Sequence, residues 1–189
     1  MNQEKEMAGF SMDAFRQGDE HALDILFRKF FPALSYFAGH FLDNTLMADD
    51  IASETFLKIW AKRQDFESPD HIRAFLYRAT RNACINHRIQ SERSTARETA
   101  FSEKYQDDAL FDAKIVESEV IRSLLEAIEG LPQECRKVIR LSFIEGMKAD
   151  EIAQKLQVSL STVKSQKARG IELLRKRLPN SLLQILLFM

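Results

Sequence analysis

Apolar residues recur at spacings of three and four along most of the chain, and no convincing run alternates apolar with polar positions. This periodicity is that of amphipathic helices. Only 6 Gly and 4 Pro interrupt it, so the pattern predicts an all-α fold. Pro32 is expected to kink or restart the second helix. Helices are predicted at about 8–17, 20–40, 46–64, 69–91, 113–129, 131–145, 148–156, 160–178 and 181–188.

The stretch "ERSTARETAFSEKYQDDALFD" is polar, charged and only weakly periodic. It is typical of a flexible linker, although a few apolar residues suggest that parts of it dock when a partner is present. These residues are Phe101, Tyr105, Leu110 and Phe111. The sequence therefore predicts two small helical domains at 8–92 and 113–178, a linker at 93–112 and an apolar tail at 179–189.

The tail, "LPNSLLQILLFM", is too short to span a bilayer, and no other apolar run approaches the roughly 20 residues that a spanning helix needs. We expect it to pack on the second domain or to help hold a protein partner. The first residues do not form a signal peptide, which predicts a cytoplasmic protein. Two distant cysteines and four scattered histidines predict neither a disulfide framework nor a metal site.

Charge is unevenly distributed although the net charge is only −1. Residues 71–97 carry six arginines and one acid, and residues 131–178 carry eleven basic and five acidic residues. Between them, residues 98–120 carry seven acids and two lysines. This distribution indicates two anion-binding surfaces; the alternative is a pair of ordinary solvated helix faces.

The segment "MKADEIAQKLQVSLSTVKSQKARGIELLRKRL" has the pattern of a helix-turn-helix. A short helix with small Ala153 on its apolar face is followed by a turn at Gln157 and by Ser159, which is a good helix cap. The second helix continues the buried stripe, and its first turns would enter a DNA major groove. Gln157 stands where glycine is favoured, which predicts an uncomfortable backbone at that position.

Cations near the amino end of this second helix oppose its dipole at a cost of a few tenths of a kcal/mol each. One good base contact supplies about 1–3 kcal/mol of discrimination, so contact with DNA explains their position. An amphipathic helix with a cationic outer face is the alternative. The residues predicted to share the exposed arc are Ser161, Thr162, Lys164, Ser165, Lys167 and Arg169.

Two helical segments in the first half of the chain carry charges of opposite sign on their polar faces. "DDIASETFLKIWAKRQDF" places acids opposite an apolar stripe that includes Trp60, which we expect in the core. "HIRAFLYRATRNACINHRIQSER" places arginines outside an apolar stripe. An acidic helix for a basic protein partner, followed by a basic helix for nucleic acid, is the simplest interpretation.

Three motifs in this order resemble an extracytoplasmic-function sigma factor of the bacterial sigma-70 family. "DDIASETFLKIW" resembles the helix that binds core RNA polymerase, and "FLYRATRNACINHR" resembles the helix that recognises and melts the minus-ten promoter element. "LPQECRKVIRLSFIEGMKADEIAQKLQVSLSTVKSQKARG" resembles the fourth domain, which binds the minus-thirty-five element. The resemblance implies a transcription initiation factor without catalysis of its own.

By position, the resemblance implies roles for single residues. The polymerase-binding set is Asp49, Asp50, Ser53 and Glu54, and the minus-ten set is Phe66, Arg78, Arg81, Asn82 and Arg88. Lys164, Ser165 and Arg169 match the positions that read the minus-thirty-five element. Phe66 would stack on an extruded base, or would simply cover its loop; Asn82 would contact DNA, or would bridge backbone groups.

Some positions depart from the family. Ser53 stands where Gln is common, Gln166 stands where Arg is common, and Ala168 replaces a bulkier residue. These departures leave open which sequence the recognition helix reads.

The implied partners are core RNA polymerase, through its β′ and β subunits, promoter DNA and an anti-sigma factor that is often membrane-bound. No cofactor and no small-molecule substrate are expected. One alternative is a dimeric helix-turn-helix regulator that binds a palindromic operator. Another is a metal-dependent nucleic-acid enzyme using Asp49, Asp50 and Glu54, which lie on one helix with no His nearby in sequence.

Overall fold

The computed structural model describes residues 9–42, 44–92 and 108–179. The predicted helix at 181–188, residues 93–107 of the predicted linker and all but the first residue of the predicted tail lie outside these ranges. The described residues form helices and turns without any strand, as the periodicity predicts. None of their helices is long and apolar enough to cross a membrane.

The helices of the first half are α1 (Met12–Gln17), α2 (Glu20–Gly39), α3 (Thr45–Ala61), a 3₁₀ turn (Arg63–Asp65) and α4 (Pro69–Glu92). Those of the second half are α5 (Asp108–Glu129), α6 (Gln133–Ile139), a π-helical turn (Arg140–Ile144), α7 (Ala149–Leu156) and α8 (Leu160–Arg175).

Short polar side chains fix where several helices begin. Asp19 accepts a hydrogen bond from the His21 amide at 2.9 Å, and Asn44 accepts one from the Leu46 amide at 2.9 Å. Each cap satisfies an amide that lacks a partner in the first turn of its helix. The positions of α2 and α3 therefore follow from local sequence.

Helix α2 keeps its predicted bounds and continues through Pro32 without restarting, because Phe30 and Leu34 on either side are both buried in the same core. Two later helices differ from the prediction. Helix α5 begins at Asp108 rather than near residue 113. The predicted helix at 131–145 changes to π-helical geometry at Arg140.

The chain divides into two compact units, one ending at Glu119 and the other beginning at Val120. The core of the first unit is rich in aromatic residues from α1 to α4. Phe111 and Ile115, from the first half of α5, also pack against this core. Trp60 packs there as well, with its ring 5.9 Å from that of Phe15, which confirms its expected place.

The second unit has two apolar clusters. One is built around Leu124, Cys135 and Leu174, and the other joins Val138, Ile152 and Val163. The second cluster is the seam between the two helices of the predicted helix-turn-helix. It holds α8 so that its opposite side faces outward.

Candidate nucleic-acid interface

The turn between α7 and α8 has the geometry of a helix-turn-helix. Helix α7 ends at Leu156 and is followed by Gln157, whose φ of 54° and ψ of 43° are left-handed. Ser159 then starts α8 by accepting a hydrogen bond from the Thr162 amide at 3.1 Å. The predicted strain at Gln157 and the predicted cap at Ser159 are both confirmed.

The outer face of α8 is polar and cationic. Val163, Gly170 and Leu174 are buried, whereas Lys164, Ser165, Ala168 and Arg169 are exposed. The Ser165 hydroxyl donates to the Thr162 carbonyl at 2.9 Å. The exposed residues of the predicted set are Ser161, Thr162, Lys164, Ser165 and Arg169.

Lys167 does not share this face. Its Nζ donates to the Ser142 hydroxyl at 2.6 Å and lies 4.4 Å from the centroid of the Phe143 ring. The position comes four residues after buried Val163 and three before buried Gly170, so it borders the buried stripe. The prediction that Lys167 lies on the exposed arc is therefore wrong.

Helix α4 presents a second cationic surface. A groove of about 270 Å³ lies between α3 and α4, and both Arg78 and Asn82 on its wall are exposed. Its lining residues are Lys58, Phe75, Arg78, Ala79, Asn82, Ala83 and Asn86. The sequence interpretation missed Lys58 and Asn86, although Asn86 follows Asn82 by four residues and so shares its face.

Two predicted minus-ten residues turn toward protein instead. The Arg81 guanidinium lies 4.5 Å from the centroid of the Phe111 ring, and Arg88 donates to the Phe41 carbonyl at 3.2 Å. Both side chains are half-buried. The expectation that all these arginines line the outside of α4 is wrong at these two positions.

Phe66 is also placed differently from its predicted stacking role. Its side chain is only 2% exposed, and its ring lies 5.2 Å from the rings of both His71 and Phe75. Arg16 fixes the loop by donating to the Phe66 carbonyl at 2.8 and 2.6 Å. The ring covers its loop and, in this conformation, offers no face to a base.

The acidic face of α3 contains Asp50 and Glu54, both exposed. Leu46 and Leu57, at helical spacing with them, are 72% and 68% exposed. The sequence interpretation assigned only acids to the exposed side of this helix and did not single out these leucines. Together the four residues form an exposed surface of mixed apolar and acidic character.

Asp49 and Ser53 are partly engaged within the unit. The Ser35 hydroxyl donates to the Asp49 carboxylate, and the Ser53 hydroxyl donates to the Asp49 carbonyl at 2.8 Å. Asp49 is thus held against α2. No group of three possible metal-ligating side chains occurs in the described part of the chain.

Comparison with known proteins identifies the family. Residues 26–94 match Sigma-70 region 2, and residues 121–174 match Sigma-70 region 4. The first match spans α3 and α4, and the second spans the helix-turn-helix. The chain belongs to the sigma-70 family.

Similar sigma factors align along most of this chain. The RNA polymerase sigma-H factor of Pseudomonas aeruginosa is 28% identical, with 88% of this chain and 91% of that protein covered. The ECF RNA polymerase sigma factor SigW of Bacillus subtilis is 27% identical, with 86% and 92% covered. A solved structure, the RsbN-BldN complex, is 18% identical, with a TM-score of 0.37 and coverage of 89% and 99%.

The chain is therefore an extracytoplasmic-function sigma factor, as the three motifs indicate. It binds core RNA polymerase and directs it to promoters. Sigma factors are transcription initiation factors rather than enzymes. The comparisons do not favour the alternative of a dimeric operator-binding regulator.

Proposed function

We propose that the two units of this sigma factor divide the promoter between them. The first unit, with its cationic α4, would engage the minus-ten element, and the second would place α8 in the major groove of the minus-thirty-five element. The observation that supports this division most is the exposed polar face of α8, the helix that follows the turn of the helix-turn-helix. Domain borders near 8–92 and 113–178, with a linker at 93–112, remain a prediction.

Core RNA polymerase would bind α3. Exposed Leu46 and Leu57 supply apolar contact, and exposed Asp50 and Glu54 between them supply charge. A partner surface of the opposite composition, apolar with basic residues, suits this arrangement. We assign that surface to the β′ subunit and a further contact to the β subunit. Asp49 and Ser53, which lie beside this surface of α3 and are bonded within the unit, would stabilise it.

The groove beside α4 would take part in the minus-ten contact. Lys58 and Arg78 can bind phosphates, and the amides of Asn82 and Asn86 can bind base edges. Melting requires extrusion of a base at a cost of a few kcal/mol. Because Phe66 is buried, we reassign it from stacking on a base to supporting the loop beside the groove.

Helix α8 would read the minus-thirty-five element. Ser161 and Thr162, at its amino end, are placed to bind phosphate together with the helix dipole. Lys164, Ser165 and Arg169, further along the exposed face, would reach base edges. Lys167 would act indirectly, by fixing α8 against the π-helical turn through Ser142.

Other features of the function are also proposals. The protein would act in the cytoplasm without catalysis of its own. An anti-sigma factor, membrane-bound in many family members, would hold it inactive by covering the α3 and α8 surfaces. The apolar tail at 179–189 would pack on the second unit or take part in that contact.

The test is transcription from a genomic promoter library by purified core RNA polymerase, with and without this protein. Lys164→Ala should lower discrimination between promoters by about 1–3 kcal/mol if Lys164 reads a base. Lys176→Ala is the matched control, because it removes the same charge from the far end of α8, where Lys176 pairs with Glu172 at 2.8 Å. The control should leave promoter choice unchanged.

Two results would contradict the proposal at different levels. If Lys164→Ala weakens every promoter alike and reduces the salt slope by about one, Lys164 contacts phosphate and does not read a base. If the protein creates no new start sites and instead binds palindromic DNA tightly without polymerase, the dimeric regulator is the better interpretation.

A further inference from the structure

Helix α4 has a second face, which the first half of α5 covers. Tyr77 Oη donates to Glu119 Oε1 at 2.7 Å, and Arg73 lies 3.7 Å from the other carboxylate oxygen of Glu119. One turn further along, the Arg81 guanidinium lies over the Phe111 ring at 4.5 Å. Three residues of α4 at four-residue spacing thus contact a single segment.

This contact is anchored in the core of the first unit. The Phe111 ring meets the Phe37 ring edge to face, with centroids 5.7 Å apart, and Ile115 packs beside it. At the end of α2, His40 Nε2 lies 3.3 Å from a carboxylate oxygen of Glu117. The segment is therefore docked by apolar packing as well as by polar contacts.

The two faces of α4 consequently differ in accessibility. Arg78, Asn82 and Asn86 line the open groove, whereas Arg81 is half-buried against α5. Arg73 stays 45% exposed and pairs with Asp70 of its own helix at 3.3 Å as well as with Glu119 of α5 at 3.7 Å. The covering segment lies in the acidic stretch at 98–120, which carries seven acids against two lysines. Its charge is the same sign as that of nucleic acid, so the segment and a DNA strand would compete for the same arginines.

We propose that residues 108–119 are a cover, acting in cis, on the nucleic-acid surface of the first unit. Docked, this cover holds Arg81 against Phe111 and places the Glu119 carboxylate beside the exposed Arg73; undocked, it leaves both cations to join the surface formed by Arg78 and Asn82. The proposal rests on the proposed function, since it assigns α4 to DNA. It makes docking of α5 and binding of single-stranded DNA mutually exclusive.

The polar part of the contact is readily displaced. Arg73 and Glu119 are only partly buried, and such ion pairs contribute little net stability because water solvates the separated charges well. Phe111 is the main apolar anchor near Arg81. Removal of this one ring should therefore shift the segment toward the undocked state without a change in charge.

The experiment measures binding of the full chain to a fluorescein-labelled, random-sequence single-stranded oligonucleotide by fluorescence anisotropy. Phe111→Ala should bind several-fold more tightly than wild type at low salt. Its plot of log affinity against log salt should steepen by about 1–1.5, because two more phosphates are neutralised at about 0.7 per phosphate for single strands. Val116→Ala is the matched control, because Val116 is exposed on the same helix, and it should bind as wild type does.

A variant that lacks both arginines tests the mechanism. In a chain that carries Arg73→Ala and Arg81→Ala, Phe111→Ala should no longer increase the affinity for the oligonucleotide, because neither arginine remains to be released. The pair Tyr77→Phe and Glu119→Gln, which removes the polar contact and keeps both aromatic rings, should reproduce part of the gain if Phe111→Ala does not fold. Circular dichroism establishes folding for each variant.

The proposal is overturned if the folded anchor variant, or the polar pair in its place, binds the oligonucleotide as wild type does. It is equally overturned if Phe111→Ala still increases the affinity for the oligonucleotide in the chain that lacks Arg73 and Arg81. Failure of the proposed function is distinct: it would appear as an absence of specific start sites when wild-type protein is added to core polymerase. If wild-type protein gives specific start sites but the substitutions leave oligonucleotide binding unchanged, only the cover proposal fails and the proposed function stands.

Discussion

Gln157 joins the two helices of the helix-turn-helix with a backbone that side chains other than glycine rarely adopt. It is the one non-glycine residue with positive φ in the described ranges. Its amide donates to the Gln154 carbonyl at 3.2 Å, and the following amide of Val158 donates to the Ala153 carbonyl at 3.0 Å. These bonds close the end of α7 and hold the left-handed conformation in place.

Gln157→Gly should stabilise the second unit. The left-handed conformation costs a side-chain-bearing residue about 1–2 kcal/mol, and glycine avoids this cost while losing more chain entropy on folding. We expect the free energy of unfolding to rise by about 0.5–1 kcal/mol, measured by urea denaturation.

Gln154→Gly is the matched control, because Gln154 is an exposed residue of the same type inside α7. It should lower the free energy of unfolding by about 1 kcal/mol. Equal destabilisation by both substitutions would show that the geometry at Gln157 carries no cost.

At the scale of helices, His40 links the end of α2 to the covering segment of α5. Burial lowers the pKa of His40 below its ordinary value, and the nearby Lys114 ammonium lowers it further. The Glu117 carboxylate acts in the opposite direction but does not compensate. The packed state therefore favours neutral His40.

Lower pH should weaken this packing. Because the pKa of His40 is lower in the folded state, its contribution is fully present above the unfolded value of about 6.5 and is lost as pH falls through the folded value. Wild type should lose more stability between neutral and mildly acid pH than His40→Gln, in which other titrating groups are unchanged. Urea denaturation at both pH values measures this difference, and parallel pH profiles for the two proteins would contradict it.

The helices that could be predicted from sequence are those whose signals are local. Ser159 and the apolar positions after it define α8, and the acids around Asp50 define the exposed side of α3. The errors concern contacts between residues distant in sequence. Nothing near Phe111 shows that it meets Arg81, and nothing near Lys167 shows that it meets Ser142. Such pairs depend on how helices pack, which periodicity does not determine.

Phe66 illustrates the same limit within the candidate site. Its loop is polar, so an aromatic residue there is consistent with either base stacking or burial. The structure shows burial, because the ring is 2% exposed and packs against His71 and Phe75. The loop is also held by Arg16, which lies 50 residues away and donates twice to the Phe66 carbonyl. The resemblance to the family identifies the motif, but the orientation of the ring follows from tertiary packing.

At the scale of the whole molecule, each unit contains its own core and one buried thiol. Cys84 is fully buried in the first unit, and burial raises its pKa to about 12. Cys135 is fully buried in the second, where its Sγ donates to Gln166 at 3.1 Å. Because thiol reagents attack only an accessible thiolate, each cysteine reports on the opening of its own unit.

Gly170→Ala should change the labelling rate of one cysteine and leave that of the other unchanged. A Cβ at Gly170 would lie 2.7 Å from Ile139 Cγ1 and 3.6 Å from Cys135 Cβ, so α8 would be forced away from α6. Overpacking of this kind costs about 1–3 kcal/mol, which should speed labelling of Cys135 by roughly 5- to 150-fold. Labelling of Cys84 should not change, because its core lies in the other unit.

Gly39→Ala supplies the control, since nothing lies within 4 Å of a Cβ added at Gly39, at the end of α2. It should leave both labelling rates near those of wild type. The measurement is iodoacetamide labelling of the native protein, followed by mass spectrometry of the two cysteine peptides. If Gly170→Ala accelerates labelling of Cys84 as much as that of Cys135, the two units open together as one cooperative block, and separate unfolding of the two units is excluded.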